Sequence, residues 1–203
     1  MAKSYAQFKP EDLDGLGIVL RNGVFMQDTP NLEPSDLLVQ VLRQNQGLPM
    51  GSEKARSEHI IAPILNEMRY RNLALVNYFS GYTLDVDGKR GLRGRCDFIL
   101  SLDPTSLTIA APLFCVVEVK SDTPDDDSSI AQCVAEMYAA QLFNRKHGNS
   151  TIFTMYGAVS NGFEWVFISL IDNIATADLT HRYHIDNLPR LLGKLQAIID
   201  LYK

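Results

Sequence analysis

The chain has no run of about 18 apolar residues, so it offers no candidate for a membrane-crossing helix. Its cysteines are few and odd in number. Cys96, Cys115 and Cys133 are widely spaced, each among apolar neighbours. Such a set excludes a disulfide framework and lacks the paired spacing of a zinc site, so the three thiols read as reduced core residues. The single tryptophan, Trp165, sits in an apolar stretch and reads as core rather than as a platform for stacked bases. Internal repeats and low-complexity tracts are missing. A surplus of positive charge is missing too: 19 Lys and Arg against 24 Asp and Glu give a formal net charge of -5. That excludes coating of nucleic acid through global charge, but it leaves room for a local basic patch beside an acidic metal site. Met1 to Lys9 contains no apolar signal core, and a cytoplasmic location is expected.

What is present is 203 residues, 46% hydrophobic and 21% charged, enough for one domain with a substantial core. Residues 1–51 read as an N-terminal extension packed on the core, and 52–203 as the main domain. In the extension, Pro10 to Leu16 suits a short helix, Ile18 to Met26 a strand or a hairpin around Asn22-Gly23, and Leu32 to Asn45 a helix capped by Ser35 or Asp36. A long helix is expected over Ser52 to Tyr78, kinked or broken near Pro63. Strands are expected at Tyr82 to Val86, Leu92 to Leu100, Leu107 to Ala110 and Phe114 to Lys120. A helix over Ser128 to Arg145 follows the acidic loop 122–127. Two strands, Thr151 to Val159 and Phe163 to Ile171, come next around the Asn161-Gly162 turn, then an edge strand at Leu179 to Ile185 and a helix from Leu188 to Tyr202. Strands flanked by helices in this order make an α/β fold, a central mixed β-sheet with helices on both sides.

Phe114-Cys115-Val116-Val117-Glu118-Val119-Lys120 is the most informative stretch. Aromatic and β-branched residues make it a central buried strand, yet it ends in two opposite charges. Alternation places Glu118 and Lys120 on one face, the face expected for Phe114 and Val116. Buried charges are costly unless paired or bound. They can form a structural ion pair, or they can belong to a site. Asp97 on the preceding strand favours a site: two carboxylates at neighbouring strand ends suit Mg²⁺ or Mn²⁺, with Lys120 placed to orient water or stabilise charge on a phosphate. Lys89, Arg90, Arg93 and Arg95, on and before the Asp97 strand, are candidate phosphate contacts. His181 and His184 are three apart on an expected strand, hence on opposite faces, which argues against a metal pair.

Asp97 followed by Glu118-Val119-Lys120 resembles the Asp…Glu-x-Lys signature of the PD-(D/E)xK nuclease superfamily, which has the restriction-endonuclease-like fold. The resemblance extends over roughly Ser52 to Ile171. It includes a preceding helix with Glu58 in Ser57-Glu58-His59-Ile60-Ile61, Gln132 on the helix after the central strand, and the hairpin Tyr156 to Trp165. It departs at Cys96, where the family often has proline, and at Glu136, where the RecB-like subgroup has tyrosine four residues after the glutamine. The resemblance implies that Asp97, Glu118, Glu58 and the backbone carbonyl of Val119 surround a Mg²⁺ or Mn²⁺ ion. It further implies that Lys120 acts on the water and that Gln132 assists. The expected activity is hydrolysis of phosphodiester bonds, in DNA more than RNA, by a protein that can act as a homodimer. The alternative is a module of the same fold that no longer cuts and instead binds nucleic acid or a protein partner.

Overall fold

The computed structural model describes residues 3–148 and 154–203. The opening segment forms a turn of 3-10 helix at Tyr5–Gln7, helix α1 (Pro10–Asp14) and strand β1 (Val19–Asn22). Helix α2 (Asp36–Asn45) begins at Ser35, whose hydroxyl accepts from the Leu38 amide. The long helix starts as α3 (Glu53–Arg56), widens into a π turn at Ser57–Ile61 and continues as α4 (Ala62–Arg71). Pro63 explains the widening, because it has no N–H for the carbonyl of His59. That carbonyl is satisfied by the Asn45 side-chain amide, at 2.8 Å. Strands β2 (Asn77–Thr83), β3 (Arg95–Ser101) and β4 (Leu113–Val119) lead to helix α5 (Asp127–Lys146), capped by Asp126. Strands β5 (Thr154–Ser160), β6 (Glu164–Ile171), β7 (Ile174–Ala177) and β8 (Tyr183–His184), then helix α6 (Leu188–Asp200), complete the chain.

The strands make one mixed sheet in the order β1-β7-β6-β5-β4-β3-β2, with β8 also on β6. The α/β class with helices on both faces is as the sequence predicts. Over one face lie α1, α5 and Tyr5, packed on Ile99, Val116, Val159 and Ile168. Over the other lie α2, α4 and α6, packed on Phe98, Val117, Ala158 and Trp165. All three cysteines are buried and free, and Trp165 is fully buried. Residues 3–51 lie against this core and also supply the edge strand β1, parallel to β7. Among the described residues no helix is long and apolar enough to cross a membrane.

Several local expectations are corrected. Of the two alternatives for Ile18 to Met26 the structure has the strand, β1, which pairs with β7 rather than with a neighbour in sequence. Leu107 to Ala110 is not a strand; the Ala110 carbonyl instead accepts from the Ser101 hydroxyl, at 2.8 Å. The strand expected at Leu179 to Ile185 shrinks to Tyr183–His184. Asp178 turns the chain there by accepting the Thr180 and His181 amides. The expected strand start at Thr151 lies outside the described residues; β5 is described from Thr154.

The segment between β1 and α2 crosses α6. Leu32 donates to the Pro189 carbonyl, and the fully buried Lys194 amine donates to the carbonyls of Phe25 and Met26 at 2.6 and 2.9 Å. The crossing depends on Gly193, where a Cβ would stand 2.0 Å from the Pro30 carbonyl oxygen. Gly193→Ala is therefore expected to destabilise the protein by roughly 3 kcal/mol through backbone displacement, seen as a lowered midpoint in urea unfolding. An unchanged midpoint would mean that the crossing is not tightly packed.

Candidate active site

Strand β4 reaches the site through a change of phase. In the antiparallel ladder of β3 and β4, Leu100 faces Cys115 and Ser101 faces Leu113, which leaves Phe114 unmatched. This bulge puts Phe114 in the same layer as Cys115, with its ring 5.0 Å from that of Tyr202. Phe114 therefore does not share the face of Val116, contrary to simple alternation. From Val116 onward the period of two holds, and Glu118 and Lys120 face α5, where Val116 also packs.

The ladder ends at the pair Phe98 and Val117, and its continuation sets Asp97 opposite Glu118. There the strands separate. The Val119 amide donates to Asp97 Oδ2 at 2.8 Å instead of to a strand carbonyl. Glu118 Oε1 accepts from Lys120 Nζ at 2.8 Å and from Gln132 Nε2 at 2.6 Å. Gln132 Oε1 accepts from Lys120 at 2.9 Å, and Gln132 Nε2 donates to Glu136 Oε1 at 3.1 Å. Gln132 and Glu136 are one turn apart on α5, so both reach the same point. Glu118 Oε2 and Glu136 Oε2 are buried with no hydrogen-bond partner among the described residues.

Three carboxyl groups with one ammonium in a dry site cannot all ionise at ordinary pH. Burial, reinforced by the charge of Asp97, pushes Glu118 up to about 8. Burial also raises Asp97, with the Val119 amide pulling partly the other way. Burial and then Glu118 raise Glu136 well above the usual carboxyl range. For Lys120, burial favours the neutral amine, but Glu118 beside it outweighs this and holds the ammonium. The thiols of Cys96 and Cys133, nearby on the same side, are raised by burial and remain protonated.

Asp97 connects this buried network to a surface cleft of about 310 Å³ lined by Glu53, Lys54, Ser57, Glu58, Ser80, Gly81 and Arg95. Glu58 stands at the rim, exposed and paired with Lys54 at 2.9 Å. The helix acid whose charge acts on Asp97 and Glu118 is Glu53. The π turn carries the reason, since an extra residue in it rotates everything before Ser57 relative to a regular helix. Of the four basic residues, Arg95 alone among the described residues lines the cleft, its Nε bonded to the Gly81 carbonyl at 2.7 Å. Arg90 lies over the Tyr138 ring, and Arg93 donates to the Lys3 carbonyl, both toward the opening segment. Lys89 is exposed in the turn that Asp87 caps.

Sequence reasoning assembled Asp97, Glu118, Lys120 and Gln132, which the structure brings together. It passed over Glu53 and the part played by Glu136, although the four-residue spacing from Gln132 was visible. Among the described residues no three His, Cys, Asp or Glu side chains are grouped to hold an ion. The side-chain donors on offer are therefore the Asp97 and Glu118 carboxylates. Both are hard oxygen ligands, and two carboxylates with water and a carbonyl are a sufficient set for Mg²⁺. No protein-family model matches the chain, and no curated protein matches its sequence.

Proposed function

We propose that the protein is a Mg²⁺- or Mn²⁺-dependent nuclease that hydrolyses phosphodiester bonds, with DNA as its favoured substrate. The observation that supports this reading is the pair Asp97 and Glu118, opposed where β3 and β4 separate, with a buried Glu118 oxygen that no donor among the described residues reaches. The residue types of such a pair suit a cation that prefers oxygen ligands. Asp97, Glu118 and the Val119 carbonyl would hold it. When bound, the ion would offset the repulsion between the carboxylates and polarise a phosphate oxygen. Lys120 stays charged because Glu118 stabilises it, and Glu118 and Gln132 fix its amine at the mouth of the pair. From there it orients water and stabilises charge developing on the phosphate. Arg95, in the cleft beside Asp97, supplies a phosphate contact.

The test is calorimetric titration with Mn²⁺ alongside an assay for Mn²⁺-dependent cleavage of linear, circular and single-stranded DNA. Glu118 must lose its proton to bind the ion. Its folded value, about 8, lies above the ordinary 4.5. Mn²⁺ affinity should therefore rise with pH, by up to about tenfold per unit, and level off above 8. Without metal the sign reverses. The folded state holds the proton across this window while the unfolded state releases it, so metal-free stability falls as pH rises from 4.5 to 8. Mn²⁺ affinity independent of Asp97 and Glu118, together with no cleavage, would refute the nuclease and leave the binding module.

A further inference from the structure

We propose that Glu136 is a positioning residue that fixes the orientation of the Gln132 amide and, through it, the Lys120 amine. The inference rests on the reading of Lys120 as the group that acts on the phosphate.

A glutamine amide has one carbonyl oxygen and one NH₂ group with two hydrogens. Here the oxygen accepts from Lys120, one hydrogen goes to Glu118 and the other to Glu136. All of the amide's donors are used, each toward a carboxyl group. Turning the amide over would point its oxygen at two carboxyl groups and its NH₂ at an ammonium. Glu136 thus adds to the discrimination between the two orientations that Lys120 and Glu118 supply. Of the two acids that hold the NH₂, Glu118 is the one that must also serve the metal. Glu136 is fully buried, and its second oxygen has no partner among the described residues. A buried acid with half its acceptors unused is not explained by stability, because an apolar residue of similar volume serves a core as well or better. Its place one turn beyond Gln132 is explained by the amide it holds.

The test compares the full chain with Glu136→Gln and Glu136→Leu. The first variant keeps a carbonyl oxygen for the Gln132 hydrogen and should retain the wild-type rate. The second removes it and should lower kcat by about 10- to 100-fold with KM unchanged, while the melting temperature holds or rises. Equal activity in all three proteins would overturn the proposal, and so would a melting temperature that falls in step with activity. A second measurement does not depend on cleavage. In NMR spectra, both Gln132 side-chain amide hydrogens should resonate downfield in wild type and in Glu136→Gln, and one should move upfield in Glu136→Leu. Unchanged amide signals in Glu136→Leu would overturn the positioning role. If those signals respond as expected but wild type cuts no DNA, the nuclease reading fails while the placement of the amide stands.

Discussion

Replacing Glu118 by glutamine is expected to slow cleavage by about a thousandfold or more and, in the same protein, to raise the melting temperature. The two effects share one cause. Glu118 is buried opposite Asp97, and both influences push its carboxyl toward the protonated form. A glutamine carbonyl can keep the hydrogen bonds from Lys120 and Gln132. Its NH₂ would stand where Oε2 has no donor among the described residues and would donate to Asp97, the carboxyl beside it. The substitution removes a repulsion and satisfies an orphaned position. A gain of about 1–2 kcal/mol follows, or roughly 2–8 °C for a chain of this size. Activity moves the other way, because an amide does not take up the charge of a cation. Calorimetry should show Mn²⁺ binding lost at every pH, with scanning calorimetry showing the higher transition. A variant that melts lower than wild type would mean that Glu118 is a structural ion-pair member rather than half of a site.

Lys120→Met should reduce the cleavage rate by about 10²- to 10⁴-fold through a different route. The methionine preserves the bulk of the stem and removes the ammonium that Glu118 and Gln132 hold. Glu118 then loses the ammonium that favours its ionised form and keeps its proton to higher pH. Mn²⁺ affinity should fall at pH 7 and recover at pH 9, whereas in Glu118→Gln it stays lost at both. Cleavage should not recover with it, since Lys120 acts on the substrate and not only on Glu118. If raising the pH restored cleavage to Lys120→Met along with the metal, the lysine would be an electrostatic support for Glu118 and nothing more.

The sequence was most readable where its periods are unbroken. The alternation of Val116, Glu118 and Lys120 and the four-residue step from Gln132 to Glu136 both survive folding, so the centre of the network could be assembled from them. It was least readable where one residue is added to a regular element. The unmatched Phe114 shifts the phase of β4, and the π turn at Ser57–Ile61 shifts that of the long helix. The second shift puts Glu53 where its charge reaches Asp97 and leaves Glu58 at the rim. Strand β7 went unforeseen although Asp172-Asn173 is a two-residue turn of the kind that joins hairpins, with Asp172 at φ 52. The pairing of β1 with β7 has no local signal at all.

That pairing has a consequence for the order in which the protein comes into being. Val19 stands against Ile174, so β1 must wait for a strand made roughly 150 residues later. At a synthesis rate of about 5–20 residues per second, β1 remains without its neighbour for about 8–30 seconds. During that interval its backbone donors and acceptors face solvent or whatever meets them first. Closure of the sheet, and with it the seating of the opening segment over α5 and α6, waits for β7.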